Sequence, residues 1–349
     1  MDKKELEQLV HGGENIAKVN LSGADLTGAV LGGGSFDAVD FSETRLAGAD
    51  MRECVFTNCR FEGADFSRTN LAEITLYRCK CAKTDFTDAN IADGKFIECD
   101  LSDAAFGTAT AASASFVKCN LERAELKRIN LERTSFIDVK FNGADFTDNL
   151  LKQTVLYKAD LTKVSLQGVR MELAILVGAK LSGQSLKGQD FTLTQFSGAD
   201  LSGCDLSGAN LTQCNFKDAN LEGANLEGAI ANNALFATTR LQGVNLRGAQ
   251  LHQAIFVGAD MTNLSAADSN MQQCILHHAV CINTDFRAAD LTYADFSHAD
   301  LSGANLSGAR LPRANLHQVN ETATVFTDRR SALGPDQDLL EAENWQSRY

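Results

Sequence analysis

Ala219-Asn220-Leu221-Glu222-Gly223 and Ala224-Asn225-Leu226-Glu227-Gly228 are two consecutive passes through one five-residue phrase, and Ala304-Asn305-Leu306-Ser307-Gly308 repeats it far downstream in the same phase. Working outward from Leu226 in steps of five, the central position i holds Leu, Phe, Ile or Met at 55 of the 60 sites between 21 and 316, the exceptions being Cys81, Ala111, Ala231, Ala266 and Cys281. All 20 phenylalanines, from Phe36 to Phe326, share this phase. Position i−2 is small (Ala24, Ala49, Cys99, Thr134, Ala309), i−1 is Asp 16 times and often Asn, and 21 of the 27 glycines fall in the phase of i+2. A register unbroken over that length makes the body of the chain one repeat array.

A period of five matches neither the 3.6 of a helix nor the 2 of a strand, so either element would smear the apolar residues over every face. The chain must turn a corner every five residues. Each side then sends one large and one small residue inward, an Asx side chain bonds local backbone, and glycine takes the left-handed position of the turn. These features predict an all-β solenoid. The phrase A-(D/N)-L-x-G resembles the pentapeptide-repeat family over most of the chain. That resemblance implies a right-handed quadrilateral β-helix of about 15 coils with short helical caps at both ends. The expected boundaries are a helical cap at 1–15, the β-helix at 16–326 and a C-terminal cap with a short helix at 327–349.

An end coil exposes unpaired backbone, which the caps must cover. Asp2 with Glu5 reads as a helix start, Leu6, Leu9 and Val10 as its apolar face, and Gly12-Gly13 as its end. At the other terminus the register decays at Glu321, and Gly334-Pro335 precedes a helix in which Leu339, Ala342 and Trp345, the only Trp, share a face. Trp345 and Leu339 are expected either to pack on the last coil or to form a dimer contact through this end. The charged stretch Met1–Val10 does not read as a signal peptide, and no segment approaches membrane-spanning length. The expectation is a cytoplasmic protein, with secretion by a route that needs no N-terminal signal peptide left open.

The formal net charge is −13, with 16 of the 45 acids being the i−1 Asp of the repeat. This balance disfavours direct nucleic-acid binding, which needs clustered Lys and Arg. It does not by itself establish mimicry of DNA. Of the ten cysteines, eight (54, 59, 79, 99, 119, 204, 214, 274) sit at i−2 and two, Cys81 and Cys281, at i. All should point inward as small hydrophobes of a reducing compartment, with Cys59, Cys79, Cys99 and Cys119 forming one column between Val39 and Val139. No metal-binding spacing appears, and no cofactor is expected.

Residues twenty apart should stack on one side, which sorts the exterior into columns. Three of the i+1 columns are polar; the fourth reads Tyr77, Ile97, Val117, Ile137, Tyr157, Val177. On the same side the i−1 column contributes Val155, Ile175, Leu235, Ile255 and Ile275. Two readings stand: the flattest sheet, where such side chains support each other across strands, or a docking surface for a partner protein or a second copy. At i+2, Arg78, Glu98, Lys118, Asp138 and Lys158 alternate in sign and should pair one coil apart, whereas Gly178 to Gly258 leave that position mostly bare. Asn149, Gln184 and Gln189 at i−2, with Leu173 and Leu193 at i+2, mark an irregular stretch between the halves. His277, His278, His298 and His317 fall on one side near the C-terminal end, with His278 stacked on His298. They read as solvated residues or as a metal or pH-sensing cluster, although no carboxylate is in phase to complete a ligand set.

No nucleophile elbow, P-loop, dinucleotide fingerprint or zinc-protease spacing is present, and a filled interior leaves no pocket for catalysis. The chain therefore reads as a non-enzymatic, acidic scaffold that binds protein through a face of a rigid rod, and the resemblance implies a bacterial source. The resemblance adds an accessory or effector role in secretion. The alternative is a DNA-mimicking, gyrase-binding protein related to quinolone-resistance members of the family. The implied partner is an unidentified protein, or a second copy through the C-terminal cap or the apolar face.

Overall fold

The computed structural model describes residues 1–345. These wind into about 16 turns of a right-handed quadrilateral β-helix between helix α1 (Lys3–His11) and helix α2 (Gln337–Glu343). Two compact units are present, Met1–Lys180 and the residues from Leu181 onward.

One pentad shows why the sequence folds this way. Leu226 and Ala224 are buried, while the Asn225 side chain accepts the Glu227 N–H at 3.2 Å, which closes the corner. Gly228 follows at φ +63°. The Leu226 N–H then donates to the Asn245 carbonyl at 2.7 Å and the Gly228 N–H to the Arg247 carbonyl at 2.9 Å. Such a pentad satisfies its own turn and makes two bonds to the next coil, so its backbone needs no ordinary strand.

In the first unit one side goes further. Strands β1 (Asn15–Ala17), β2 (Ser35–Asp37), β3 (Val55–Thr57), β4 (Thr75–Tyr77), β5 (Lys95–Ile97), β6 (Ser115–Val117), β7 (Ser135–Ile137) and β8 (Val155–Tyr157) form one eight-stranded parallel sheet in chain order. Its register, with Phe36 opposite Phe56 and Phe116 opposite Phe136, is the twenty-residue repeat of the sequence. The other sides pair through single bridges at i−1, such as Asp40 with Arg60 and Asn90 with Thr110. The second unit is built from such bridges, plus strands β9 (Asn305–Leu306) and β10 (Val325–Phe326).

The core follows the predicted phase. In the second unit the rings of Phe196, Phe216, Phe236 and Phe256 form a column with centroids 4.9–5.1 Å apart and planes within 5°. The ten cysteines are all buried and unbridged. Cys59, Cys79, Cys99 and Cys119 share an environment, each thiol donating to a carbonyl 23 residues earlier at 3.3–3.6 Å. Buried Thr44, Thr69 and Thr84 make the same bond with their hydroxyls at 2.8–2.9 Å. The i−2 position therefore accepts a small side chain that is apolar or that can donate once, since one carbonyl lone pair is within reach.

Helix α1 begins as expected, with the Asp2 carboxylate accepting the Glu5 N–H at 2.9 Å and Leu6 and Val10 buried. It covers the first coil by bonds at both of its polar edges: Lys3 Nζ donates to the Thr27 carbonyl at 2.7 Å, and Glu7 Oε1 accepts the Val30 N–H at 3.0 Å.

Several expectations are corrected. Glycine is not required at i+2: Arg68, Glu73, Arg78, Lys83 and Asp88 occupy it in succession with φ 55–59°. The turn geometry is imposed by the coil, and charged residues there keep their side chains in water. Of the charge pairs predicted along that column only Arg78–Glu98 closes among the described residues, at 2.8 Å, because exposed long side chains gain little by pairing. Gln184 and Gln189, placed inside by their phase, are half-buried, since a long amide does not fit between stacked leucines. Asn149 does go inside, where its Oδ1 accepts the Ile129 N–H at 2.9 Å and its Nδ2 donates to the Leu126 carbonyl at 2.6 Å.

Candidate functional site

The apolar i+1 column lies on the third residues of consecutive strands of the first unit's sheet. Tyr77 faces Ile97, Val117 faces Ile137, and Ile137 faces Tyr157 in register. The i residue of each strand fills the core, so the i+1 side chain has no choice but to point outward. Ile137 and Tyr157 are 38% and 41% exposed, while Tyr77, Ile97, Val117 and Val177 are half-buried against their neighbours. Of the i−1 residues on this side, Ile175 and Ile275 are exposed and Val155, Leu235 and Ile255 half-buried. The stripe coincides with the only side of the first unit that forms extended strands, as the flat-sheet reading requires. It nonetheless leaves apolar surface in water.

Cations border the stripe. The Arg78 guanidinium lies 4.7 Å from the Tyr77 ring centroid and the Lys158 ammonium 5.1 Å from that of Tyr157. Each covers part of an aromatic face that would otherwise be hydrated.

The C-terminal candidates fall differently from the sequence reading. Helix α2 is capped by Asp336, whose carboxylate accepts the Leu339 N–H at 3.0 Å. It presents its other face: Trp345 is 75% and Leu339 43% exposed, and Leu340 is the half-buried residue beside Leu316 and Val319. Trp345 does not pack on the last coil, because polar bonds set the helix's rotation. His317, fully buried, accepts the Asp336 N–H at Nδ1 (3.0 Å), and its Nε2 meets Glu343 Oε2 at 3.1 Å. A single imidazole thereby binds both ends of the helix. The second Glu343 oxygen meets His298 Nε2 at 3.1 Å, and the ring of His278 stacks on that of His298 with centroids 4.9 Å apart, as predicted. His277 lies apart, bonded to Asp295 at 2.7 Å.

Glu343 is the carboxylate that the sequence reading lacked. It lies outside the repeat, 26 residues from His317 and 45 from His298, so no periodicity could have placed it. Hydrogen bonds from His317, and after it from His298, hold its carboxyl below the ordinary value. His298, His317 and Glu343 bring ligand-type atoms within 4.8 Å of one another. Their bonding pattern is nevertheless that of a latch. Because Nδ1 of His317 accepts a backbone N–H, the proton of the neutral ring sits on Nε2 and is donated to Glu343. A metal on Nε2 would need that proton on Nδ1, where the Asp336 N–H already points, the reverse of the usual outer support for a ligating histidine.

No helix among the described residues is long and apolar enough to cross a membrane. No curated protein matches the chain. Among solved structures it is similar to HetL, a pentapeptide repeat protein involved in heterocyst differentiation regulation from the cyanobacterium Nostoc sp. strain PCC 7120. That match has 22% identity over 76% of this chain and 96% of that one, with a TM-score of 0.34. It is also similar to QnrB1, a plasmid-mediated fluoroquinolone resistance protein, with 23% identity over 57% of this chain and 89% of that one and a TM-score of 0.26. A pentapeptide repeat protein from the thylakoid lumen of Arabidopsis thaliana matches at 35% identity over 29% of this chain and 66% of that one, with a TM-score of 0.17. The family description "Pentapeptide repeat region" matches residues 32–106, and "Pentapeptide repeats (8 copies)" matches 114–148 and, in overlapping segments, 174–318. With more than half of its residues matched and the five-residue phase carried into its core, this chain belongs to the pentapeptide-repeat family.

Proposed function

We propose that this protein is a non-enzymatic scaffold whose sheet face over β4 to β8 docks a partner protein. One observation carries the reading: Tyr77, Ile97, Val117, Ile137 and Tyr157 form a continuous outward apolar column in a regular parallel sheet. Ordered strands give such a surface little entropy to lose on binding, and aromatic and β-branched residues bury area at low side-chain cost. The cations over Tyr77 and Tyr157 would supply a polar rim.

The acidic surface supports mimicry of DNA less well. Many i−1 carboxylates are committed to the fold: Asp40, Asp65, Asp85, Asp200 and Asp300 each accept the backbone N–H two residues on at 2.8–3.1 Å. Other acids are neutralised by arginine, as in Asp25–Arg45 at 2.8 Å and, at i+2, Asp103–Arg123 at 2.7 Å.

The test compares wild-type protein with the Ile137→Asp, Tyr157→Asp double variant in affinity capture, alongside sedimentation and a gyrase supercoiling assay. The reading expects an unchanged circular dichroism spectrum, loss of the proteins retained by wild type, and normal supercoiling with either protein. Identical retained proteins would remove the face as a binding site, and supercoiling inhibition by both would favour the topoisomerase reading.

A further inference from the structure

The parallel ladder of the first unit lacks its i−1 bridge at Asn130–Leu150 and at Lys140–Asp160, and at the second of these it opens into a cleft. Lys140 pairs below with Asn120, and Asp160 pairs above with Lys180, yet no bridge joins Lys140 to Asp160. One coil earlier the Leu121 N–H donates to the Lys140 carbonyl at 2.8 Å and the Lys140 N–H to the Cys119 carbonyl at 3.0 Å. The equivalent amides, those of Phe141 and Asp160, donate to no carbonyl among the described residues. The next bond is displaced by one residue as well. The Arg123 N–H reaches the Asn142 carbonyl, 19 residues on, but the Gly143 N–H reaches that of Lys163, 20 on. The chain bulges at Thr162 and Lys163, and the bulge holds the two coils apart.

The opening is a cavity of about 320 Å³, near the lower limit for a small-molecule site. Three cations line it, Lys140, Lys158 and Lys163, and none of them forms an ion pair among the described residues. The two acids in its wall are already engaged. Asp160 accepts the Thr162 N–H at 3.1 Å and its hydroxyl at 2.6 Å, while Glu122 lies 4.0 Å from the Arg123 guanidinium. Phe141 lines the cleft, and its unpaired amide is left to whatever fills that space. The cleft therefore offers a surplus of donors: two backbone amides of one opened corner and three ammonium groups around them. That is the chemistry of a site for anionic oxygens.

We propose that this cleft binds a small molecule carrying two or more anionic oxygens, whether of phosphate or carboxylate type, and that the bound anion bridges the opened ladder. The cleft shares Lys158 with the rim of the docking face, but the proposal does not require a protein partner.

Amide exchange by NMR tests it, in chloride buffer and in inorganic phosphate or citrate at matched ionic strength. In chloride, Phe141 and Asp160 should exchange about tenfold or more faster than Leu121 and Lys140, whose bonds are formed. Phosphate or citrate should slow both by about tenfold, and which of the two does so identifies the oxygen chemistry. The effect should vanish in the Lys140→Ala, Lys163→Ala double variant, whose replaced side chains are exposed and leave the fold intact. Equal protection of the four amides in chloride would mean that the ladder is closed, overturning the proposal. Indifference to both anions, or a response that survives in the lysine variant, would overturn it too.

Discussion

Replacing Phe216 by Ala should be among the most damaging single changes in the second unit. The ring is fully buried between Phe196, 5.1 Å away with planes 4° apart, and Phe236, 4.9 Å away at 2°. Loss of transfer energy plus the cavity left behind costs about 3–5 kcal/mol. Each of the two stacked pairs adds about 0.5–1.5 kcal/mol beyond burial, which places Phe216→Ala at about 4–8 kcal/mol. Phe286 is the control, equally buried but with a single aromatic neighbour, an edge contact to Phe296 at 5.8 Å and 85°; with one pair instead of two its Ala variant should cost about 3.5–6.5 kcal/mol. Phe216→Leu keeps the side chain used at most other central positions but loses both stacked pairs, and should cost about 1–3 kcal/mol. Solenoids need not unfold in one step, so the free energies should come from native-state hydrogen exchange at the coils carrying each ring, with urea melts as a global check. A Phe216→Ala loss no larger than that of Phe286→Ala would refute the contribution assigned to the column, and a loss below about 2 kcal/mol would refute the close packing itself.

Three further outcomes follow from the same geometry. Gly228→Ala meets no atom within 4 Å, so its whole effect comes from φ +63°; a left-handed residue costs about 1–2 kcal/mol, offset by about 0.4–1 from the stiffer unfolded chain, and a chemical melt should show a net loss of up to about 1.6 kcal/mol. Burial pushes the thiols of Cys54 and Cys274 up to about 12, so native protein near pH 8 should resist iodoacetamide at both and react once denatured; alkylation at the unfolded rate would contradict their burial. The latch should weaken in acid. Glu343 has a lowered folded pKa, so its contribution is present above the ordinary glutamate range and is lost as pH falls through the folded value. Fluorescence anisotropy of Trp345, beyond the end of α2, should drop on acidification while the circular dichroism of the coils holds, and His317→Asn should shift that drop; a flat profile would count against the latch.

The core was legible because one rule, five residues to a corner, governs it from Leu21 to Leu316, and every buried Phe obeys it. The Asx bonds were legible for the same reason, being local to a pentad. The side that forms strands was suggested only by the β-branched and aromatic bias at positions such as Val117 and Ile137. Features set by contacts across coils or outside the repeat were hidden. Nothing in the phase at Phe141 or Asp160 signals that their amides lose their partners, since one is an ordinary i residue and the other an ordinary i−1 residue. The face presented by α2 was misjudged because its apolar spacing favoured Leu339 and Trp345, whereas a buried imidazole and Glu343 decide its rotation.

The twenty-residue register also limits how such a gene can be edited. Removing one pentad would leave every interior site filled by a residue of the right kind, yet all downstream sides would advance by a quarter turn, and Tyr77 and Tyr157 would end on different walls. Removing four pentads would shorten the chain and leave its outer columns aligned. Length variation that preserves a surface should therefore come in twenties, whereas variation in fives would preserve folding while reassigning which side chains meet the outside.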